Sequence, residues 1–153
     1  GAQWSKVPFP LLIMPPVNVS YFEHENTFSM MRNMEFLNDR YAYWSISWDL
    51  NGKVLNRIPL IRHLKWREYI SFKGMFGKRT DKNNPMVNSA DPLLFRFPAE
   101  SHVMDSHTPY MEVVAGVHNI FKFFGVDYVR RINYNNNPDV KKNGIRFSFS
   151  MSF

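Results

Sequence analysis

Gly144-Ile-Arg-Phe-Ser-Phe-Ser-Met-Ser-Phe153 is the stretch on which the fold turns. Ile145, Phe147, Phe149, Met151 and Phe153 alternate with Arg146, Ser148, Ser150 and Ser152. A period of two puts the two sets on opposite faces of a β-strand. In a water-soluble sheet, a terminal strand with a bare aromatic face invites edge-to-edge aggregation. In a transmembrane β-barrel the same alternation is the ordinary one, with apolar side chains against lipid and small polar ones toward the lumen. A Phe closing the last strand also looks like the signal that outer-membrane insertion machinery reads. That feature is known from barrels as a class, and its candidate residues here are Phe147, Phe149, Met151 and Phe153.

The same pattern recurs upstream. In Tyr41–Asn51, Trp44, Ile46, Trp48 and Leu50 alternate with Ser45, Ser47, Asp49 and Asn51. Arg67–Phe76 sets Ile70, Phe72 and Phe76 against Tyr69, Ser71 and Lys73. Tyr110–Phe121 sets Met111, Val113, Ala115, Val117 and Phe121 against Glu112, Gly116 and His118. Val126–Tyr134 and Phe28–Leu37 complete an expected set of six strands, the latter with Phe28, Met30, Met34 and Phe36 on one face. Residues 1–27 read as an irregular, Pro-rich periplasmic lead-in, because each of the four prolines in the first sixteen residues lacks a ladder N–H. Gly52–Trp66 breaks the alternation and suggests a short amphipathic helix around Leu60–Leu64.

The expected fold is therefore all-β, an antiparallel meander of about six transmembrane strands over residues 28–153, forming part of a larger outer-membrane β-barrel. With Phe153 at the periplasmic end, the long 77–108 connection and Asn135–Asn143 fall outside the cell. Lys122–Gly125 and Gly52–Trp66 then fall on the periplasmic side, and Asn38–Arg40 becomes a short outer turn. Short inner turns and long outer loops are the barrel rule, which this assignment follows only in part.

Composition agrees with this class. The chain has 153 residues, enough for one compact domain, and 44% are hydrophobic. A mean hydropathy of -0.36 is too low for helical spans, and no run approaches about 18 apolar residues. A barrel strand needs only about 9–11 residues, half of them apolar. Aromatic residues at 16% suit interfacial girdles, or else an aromatic-rich soluble β-core. The absence of cysteine excludes disulfides, thiolate metal sites and cysteine nucleophiles. The net charge of +6 is spread over turns and loops without a dense run, so nucleic acid is not an expected partner.

Five linking motifs carry a resemblance: Val7-Pro-Phe-Pro-Leu-Leu12, Asn56-Arg-Ile-Pro-Leu60, Leu64-Lys-Trp-Arg-Glu68, Val126-Asp-Tyr-Val-Arg130 and Gly144-Ile-Arg-Phe-Ser-Phe149. Together they resemble the C-terminal part of a Bacteroidetes-type outer-membrane barrel family. Its members usually carry an N-terminal carboxypeptidase-regulatory-like domain, and their function is not established. The resemblance spans most of the chain and implies a larger parent protein in the outer membrane of a Gram-negative bacterium. Six strands cannot close a transmembrane barrel, since the smallest have about 8. The expected partners are the remaining strands of the same barrel or other chains of a membrane complex, outer-membrane lipid or lipopolysaccharide, and the insertion machinery during assembly.

Candidate site residues follow from parity. Trp44, Ile46, Trp48, Leu50, Ile70, Phe72, Met111, Val113, Val117 and Ile145 form the expected lipid-facing set. Glu35, Asp49, Lys73, Glu112, His118, Asp127, Arg131 and Arg146 form the expected polar network on the lumen face. Pairing to offset desolvation explains such a network more simply than transport or catalysis. Arg32 and Arg130 fall on the nominal lipid face, where an arginine at the midplane costs about 2–4 kcal/mol. A bulge, an interfacial position or a partner chain would each reconcile them with it. The basic residues Lys53, Arg57, Arg62, His63, Lys65 and Arg67 cluster in the inner connection. Lys78, Arg79, Lys82, Lys141 and Lys142 lie on the outer side, where glycolipid phosphates or simple solvation would suit them.

No nucleophile-elbow or phosphate-loop motif occurs, and His102, Asp105 and His107 lack a known metal-ligand spacing. No cofactor or metal is expected. The functional expectation is a structural, transport or protein-assembly element of the outer membrane, without catalysis in this chain. The alternatives are a barrel enzyme acting on lipid or glycan through His102, His107 or His118, and a soluble aromatic-rich β-domain binding an anionic ligand.

Overall fold

The computed structural model describes residues 1–24 and 26–149. Met151 and Phe153, two of the four candidate assembly residues, lie outside the described residues. The chain is all-β. Strands β1 (Arg40–Asp49), β2 (Arg67–Lys78), β3 (Tyr110–Ile120), β4 (Phe124–Arg131) and β5 (Asn143–Phe149) form one antiparallel meander in sequence order. The sheet is open and does not close into a barrel. Its register is continuous, with Ile46 opposite Phe72, Phe72 opposite Val113, Val113 opposite Arg130 and Arg130 opposite Asn143.

Two connections lie at one end of the sheet. The β3–β4 turn reverses the chain within Phe121–Phe123, and the reversal needs left-handed backbone at Asn119, Phe121 and Lys122, with φ of 63°, 51° and 75°. A register shift between Val117 and Ile120 accompanies it. The β1–β2 connection contains two short 3-10 turns, Leu55–Arg57 and Ile61–Leu64, so the expected helix around Leu60–Leu64 is a single tight turn. The Glu68 carboxylate accepts from the backbone N–H of Val54 (3.0 Å) and of Leu55, which fastens the connection to the first residues of β2.

The other two connections lie at the opposite end. Residues 1–39 enter β1 beside the β2–β3 and β4–β5 connections. They contact these through Val7 N–H to Asn83 Oδ1 (2.9 Å), His102 N–H to Glu35 O (2.7 Å) and Arg32 to Glu100 (2.5 Å). The N-terminal segment therefore shares an end with the long 77–108 connection. An N-terminal segment on the periplasmic side and an extracellular 77–108 loop are incompatible with that geometry. The irregular segment also extends through Asp39 rather than ending at residue 27.

The expected first strand, Phe28–Leu37, is the main correction. It is irregular, with only isolated bridges from Phe28 to Val17 and from Phe36 to His102. Its alternation is real, but both sides are buried: Phe28, Ser29, Met30, Met31, Glu35, Phe36 and Leu37 are all inaccessible. Met34 turns the chain with φ 59°. The N–H groups of Ser29 and Met30 go to a Glu112 carboxylate rather than to a neighbouring strand. The turn expected at Asn38–Arg40 is accordingly the exit from this segment.

The segment covers part of one sheet face. Phe28, Met31 and Phe36 pack with Met75, Tyr110 and Met104, while Met30 packs with Val114 and Val129. Burying each of these large side chains contributes about 1.5–3 kcal/mol. A second cluster, Val7, Leu12 and Leu37 with Phe97 against it, ties the first residues to the β2–β3 connection. Asp39 anchors that junction by accepting from Thr80 N–H (2.9 Å), the Thr80 hydroxyl and Asn83 Nδ2 (3.1 Å).

The two sheet edges differ. On β1, Gly1 and Tyr41 exchange two backbone bonds of 2.9 Å, and Tyr43, Ser45 and Ser47 continue that edge without a further partner among the described residues. On β5, Phe147 donates to Tyr21 O (2.8 Å) and accepts from Glu23 N–H (2.7 Å), so residues 21–23 cover the middle of that edge.

Candidate functional site

The sheet is inverted relative to an ordinary soluble core. One face carries Trp44, Ile46 and Trp48 from β1, Ile70 and Phe72 from β2, and Met111, Val113 and Val117 from β3. Val126, Tyr128, Ile145, Phe147 and Phe149 continue it across β4 and β5. Ile46 is 45% exposed, Trp48 52% and Ile145 55%. Leu50 follows directly after β1, its N–H donating to Glu68 O at 2.9 Å. The nine strand residues of the expected lipid-facing set therefore share one face, which the rest of the described chain leaves open apart from Phe22, whose ring lies 5.6 Å from that of Phe149 at the β5 edge. Trp44 lies flat enough over Gly74 that a Cβ there would come within 2.1 Å of its ring, so this glycine makes room for the indole.

The opposite face carries the charges, and they are buried. Lys73, Glu112, Asp127 and Arg131 are at most 3% exposed. Arg131 reaches up from β4 and grips Glu35 of the covering segment in a two-pronged pair, at 2.9 Å to Oε2 and 2.5 Å to Oε1. Its remaining N–H groups donate to Asn133 O (3.0 Å) and Tyr134 O (2.8 Å), and its guanidinium lies 4.8 Å from the centre of the Tyr110 ring. Burial opposes ionisation of Glu35. The Arg131 hydrogen bonds, the Arg32 N–H and the Asn137 amide outweigh it and hold the carboxyl below its usual range. Burial likewise opposes ionisation of Asp39, and its bonds from Thr80 and Asn83 likewise prevail.

Glu112 accepts from Ser29 N–H (2.9 Å), Met30 N–H (2.7 Å) and the Tyr110 hydroxyl (2.6 Å). Lys73 pairs with Glu23 and donates to Thr27 O at 3.1 Å. Arg146 donates to Ser29 O at 2.7 Å. Four strand residues, Lys73, Glu112, Arg131 and Arg146, thus fasten the covering segment to the sheet. Breaking such a buried pair by removing one partner costs about 3–5 kcal/mol, because it strands the other charge.

Two members of the expected network stand apart. His118 and Asp127 make their own contact of 2.7 Å nearer the tight-turn end, with His118 stacked on Tyr69 at 4.6 Å. Asp49 is exposed and accepts from Asn51 N–H at 2.7 Å, so it caps the end of β1. Arg32 is not on the apolar face, since its segment is not a strand. It pairs with Glu100 at the loop end. Arg130 is on that face, exposed, one residue from the end of β4 and opposite Asn143, which places it at the rim. Sequence reasoning missed Glu23, Asp39 and Tyr110 as partners. Glu23 and Asp39 sit outside any periodic segment, and a tyrosine in an alternating strand gives no signal of whom it bonds.

His118 turns its Cδ2 edge toward Gly125, whose other close neighbour is Ser148, and no hydrogen bond joins it to a serine among the described residues. The described residues also contain no group of three or more His, Cys, Asp or Glu placed to hold a metal ion. Comparison with protein-family models, curated proteins and solved structures found no match.

Proposed function

We propose that this chain is a segment of an outer-membrane β-barrel with a structural, transport or assembly role, its apolar sheet face meeting lipid and its polar face turned to the lumen. The observation that carries the reading is the inversion of the sheet. Charged residues are packed away under the N-terminal segment, while a continuous aromatic and aliphatic surface on five strands is left bare. Soluble monomers rarely expose such a patch, and lipid removes the cost of exposing it. The proposal assigns no catalysis to the chain. In this reading residues 1–39 fold inward as a plug at the same end as the long 77–108 loop, the extracellular end.

An open sheet cannot stay open in lipid, because unpaired edge groups cost several kcal/mol each. The remaining barrel strands, from the same parent protein or another chain, would add along β1, where Gly1 has already begun an antiparallel ladder. Closure at β5 would require Tyr21–Glu23 to yield the edge. Outer-membrane lipid and the insertion machinery, reading Phe147, Phe149, Met151 and Phe153, are the other partners of this reading.

The chain has no cysteine, so single cysteines report position cleanly. Bimane placed at Ile46, Ala115 or Ile145 in membrane-embedded protein is expected to be quenched by lipid-bound nitroxide and not by aqueous iodide. Bimane at Ser47 or Asp49 is expected to show the reverse. Equal iodide quenching at both sets would sink the membrane reading and leave a soluble β-domain.

A further inference from the structure

The β2–β3 connection holds a cleft of 590 Å³ that the membrane reading does not use. That size lies within the roughly 300–1,000 Å³ range of small-molecule sites. Its walls are apolar at Pro85, Met86 and Pro98, and two arginines, Arg79 and Arg96, enter it. No acidic side chain lines it. Arg79 lies with its guanidinium 4.3 Å from the centre of the Phe97 ring, and Phe97 is itself packed on the Val7–Leu12–Leu37 cluster. The first cation is therefore seated against a packed aromatic ring.

Neither arginine has an acidic group in direct contact among the described residues. Among the described residues neither guanidinium makes a hydrogen bond or an ion pair. Three of the loop's four acids are engaged elsewhere, Asp91 with Lys6, Glu100 with Arg32, and Asp105 with His107 and Thr108, and the fourth, Asp81, does not line the cleft. Asp39 attracts Arg79 through space, but its bonded oxygen is taken by Thr80 and Asn83. Burial disfavours the charge on Arg79, and a bound anion would offset that cost. The second cleft, of 390 Å³, differs in this respect. It sets Arg32, Lys141 and Arg146 beside Glu100 and Asp139, and both of these acids pair with Arg32.

We propose that the Arg79–Arg96 cleft binds a phosphate monoester joined to an apolar group, the two guanidiniums holding the phosphate while Met86, Phe97 and Pro98 receive the apolar part. Two forked cations match a dianionic phosphate better than a carboxylate. An apolar cleft adds affinity only for a ligand with an apolar body. The ligand is a phosphorylated lipid headgroup or a soluble phosphorylated metabolite, which share this chemistry. The site does not depend on what covers the outer sheet face.

The test is calorimetric titration of the full chain with hexyl phosphate, inorganic phosphate and hexanoate. A second arm measures co-sedimentation with neutral vesicles doped with phosphatidic acid. Hexyl phosphate is expected to bind about tenfold or more tighter than either fragment. Arg96→Gln is expected to weaken it about tenfold. Arg79→Lys, which keeps charge but loses the fork and the ring contact, is expected to weaken it too, with an unchanged unfolding midpoint. Vesicle binding lost in Arg96→Gln identifies the lipid source, and hexyl phosphate binding alone identifies the soluble one. Equal affinity for hexyl phosphate and inorganic phosphate, or an equal loss in Lys141→Gln, overturns the proposal, as does no binding in either arm.

Discussion

Ala115→Arg separates a lipid-facing sheet from a water-facing one. Ala115 is the sixth of eleven residues in β3, exposed on the apolar face between Ile70 and Tyr128. At about 3.4 Å per residue, β3 runs about 34 Å, which a tilt of about 45° projects to roughly 24 Å. That height matches the ~25 Å apolar band of a barrel, and in the proposed membrane orientation Ala115 would sit at its middle. An arginine at the midplane costs about 2–4 kcal/mol, or roughly 30- to 700-fold in the folding equilibrium. On a surface facing water the same change stays within about 0.5 kcal/mol of neutral. The assay is guanidinium unfolding of the protein in phosphatidylcholine vesicles, followed by tryptophan emission in a Trp4→Phe, Trp66→Phe background that leaves Trp44 and Trp48 on the same face. Ser47→Arg on the other face, and Met111→Arg one residue from the end of β3, serve as controls expected to cost about 1 kcal/mol or less. An Ala115→Arg protein as stable in vesicles as the parent would refute the reasoning, whatever the controls do.

The covering segment and the His118–Asp127 contact give the remaining expectations. Glu35→Ala leaves Arg131 buried and uncompensated and is expected to destabilise by about 3–5 kcal/mol in chemical denaturation. The pair Glu35→Leu with Arg131→Met should cost less than the sum of its parts. Glu35 binds its proton less readily folded than unfolded, so its contribution is fully present above its ordinary pKa of 4.5 and is lost as pH falls below that. The Met30 and Met31 methyl NMR signals are expected to broaden on acidification, and Glu35→Gln to remove Glu35's share of that pH dependence. An acid response identical in Glu35→Gln would show that another group controls it. Gly116→Ala would place a Cβ 1.9 Å from Asp127 Oδ1 and 3.0 Å from Val126 O, so the His118–Asp127 contact must break. The expected readouts are a shifted His118 ring resonance and about 1–3 kcal/mol of lost stability.

Alternation is a local property, written into neighbouring residues and readable without knowing what they touch. The sequence by itself therefore determined five strands, their antiparallel order and the division into a face of Trp44, Ile46, Phe72, Val113 and Ile145 and a face of Lys73, Glu112, Asp127 and Arg131. Phe28–Leu37 has the same period, yet it is no strand. Period two says that two faces differ, not that a neighbouring strand is available to accept the backbone bonds. Here those bonds go to a carboxylate from β3. Only the tertiary structure decided what covers the polar face, because Glu35 and Arg131 are 96 residues apart and Ser29 and Glu112 are 83 apart. Contacts of that span leave no local trace. The Arg79–Phe97 contact and the cleft around it also belong to the folded chain alone. Their residues sit in an aperiodic connection, where packing against the N-terminal segment, and no pattern of their own, brings them together.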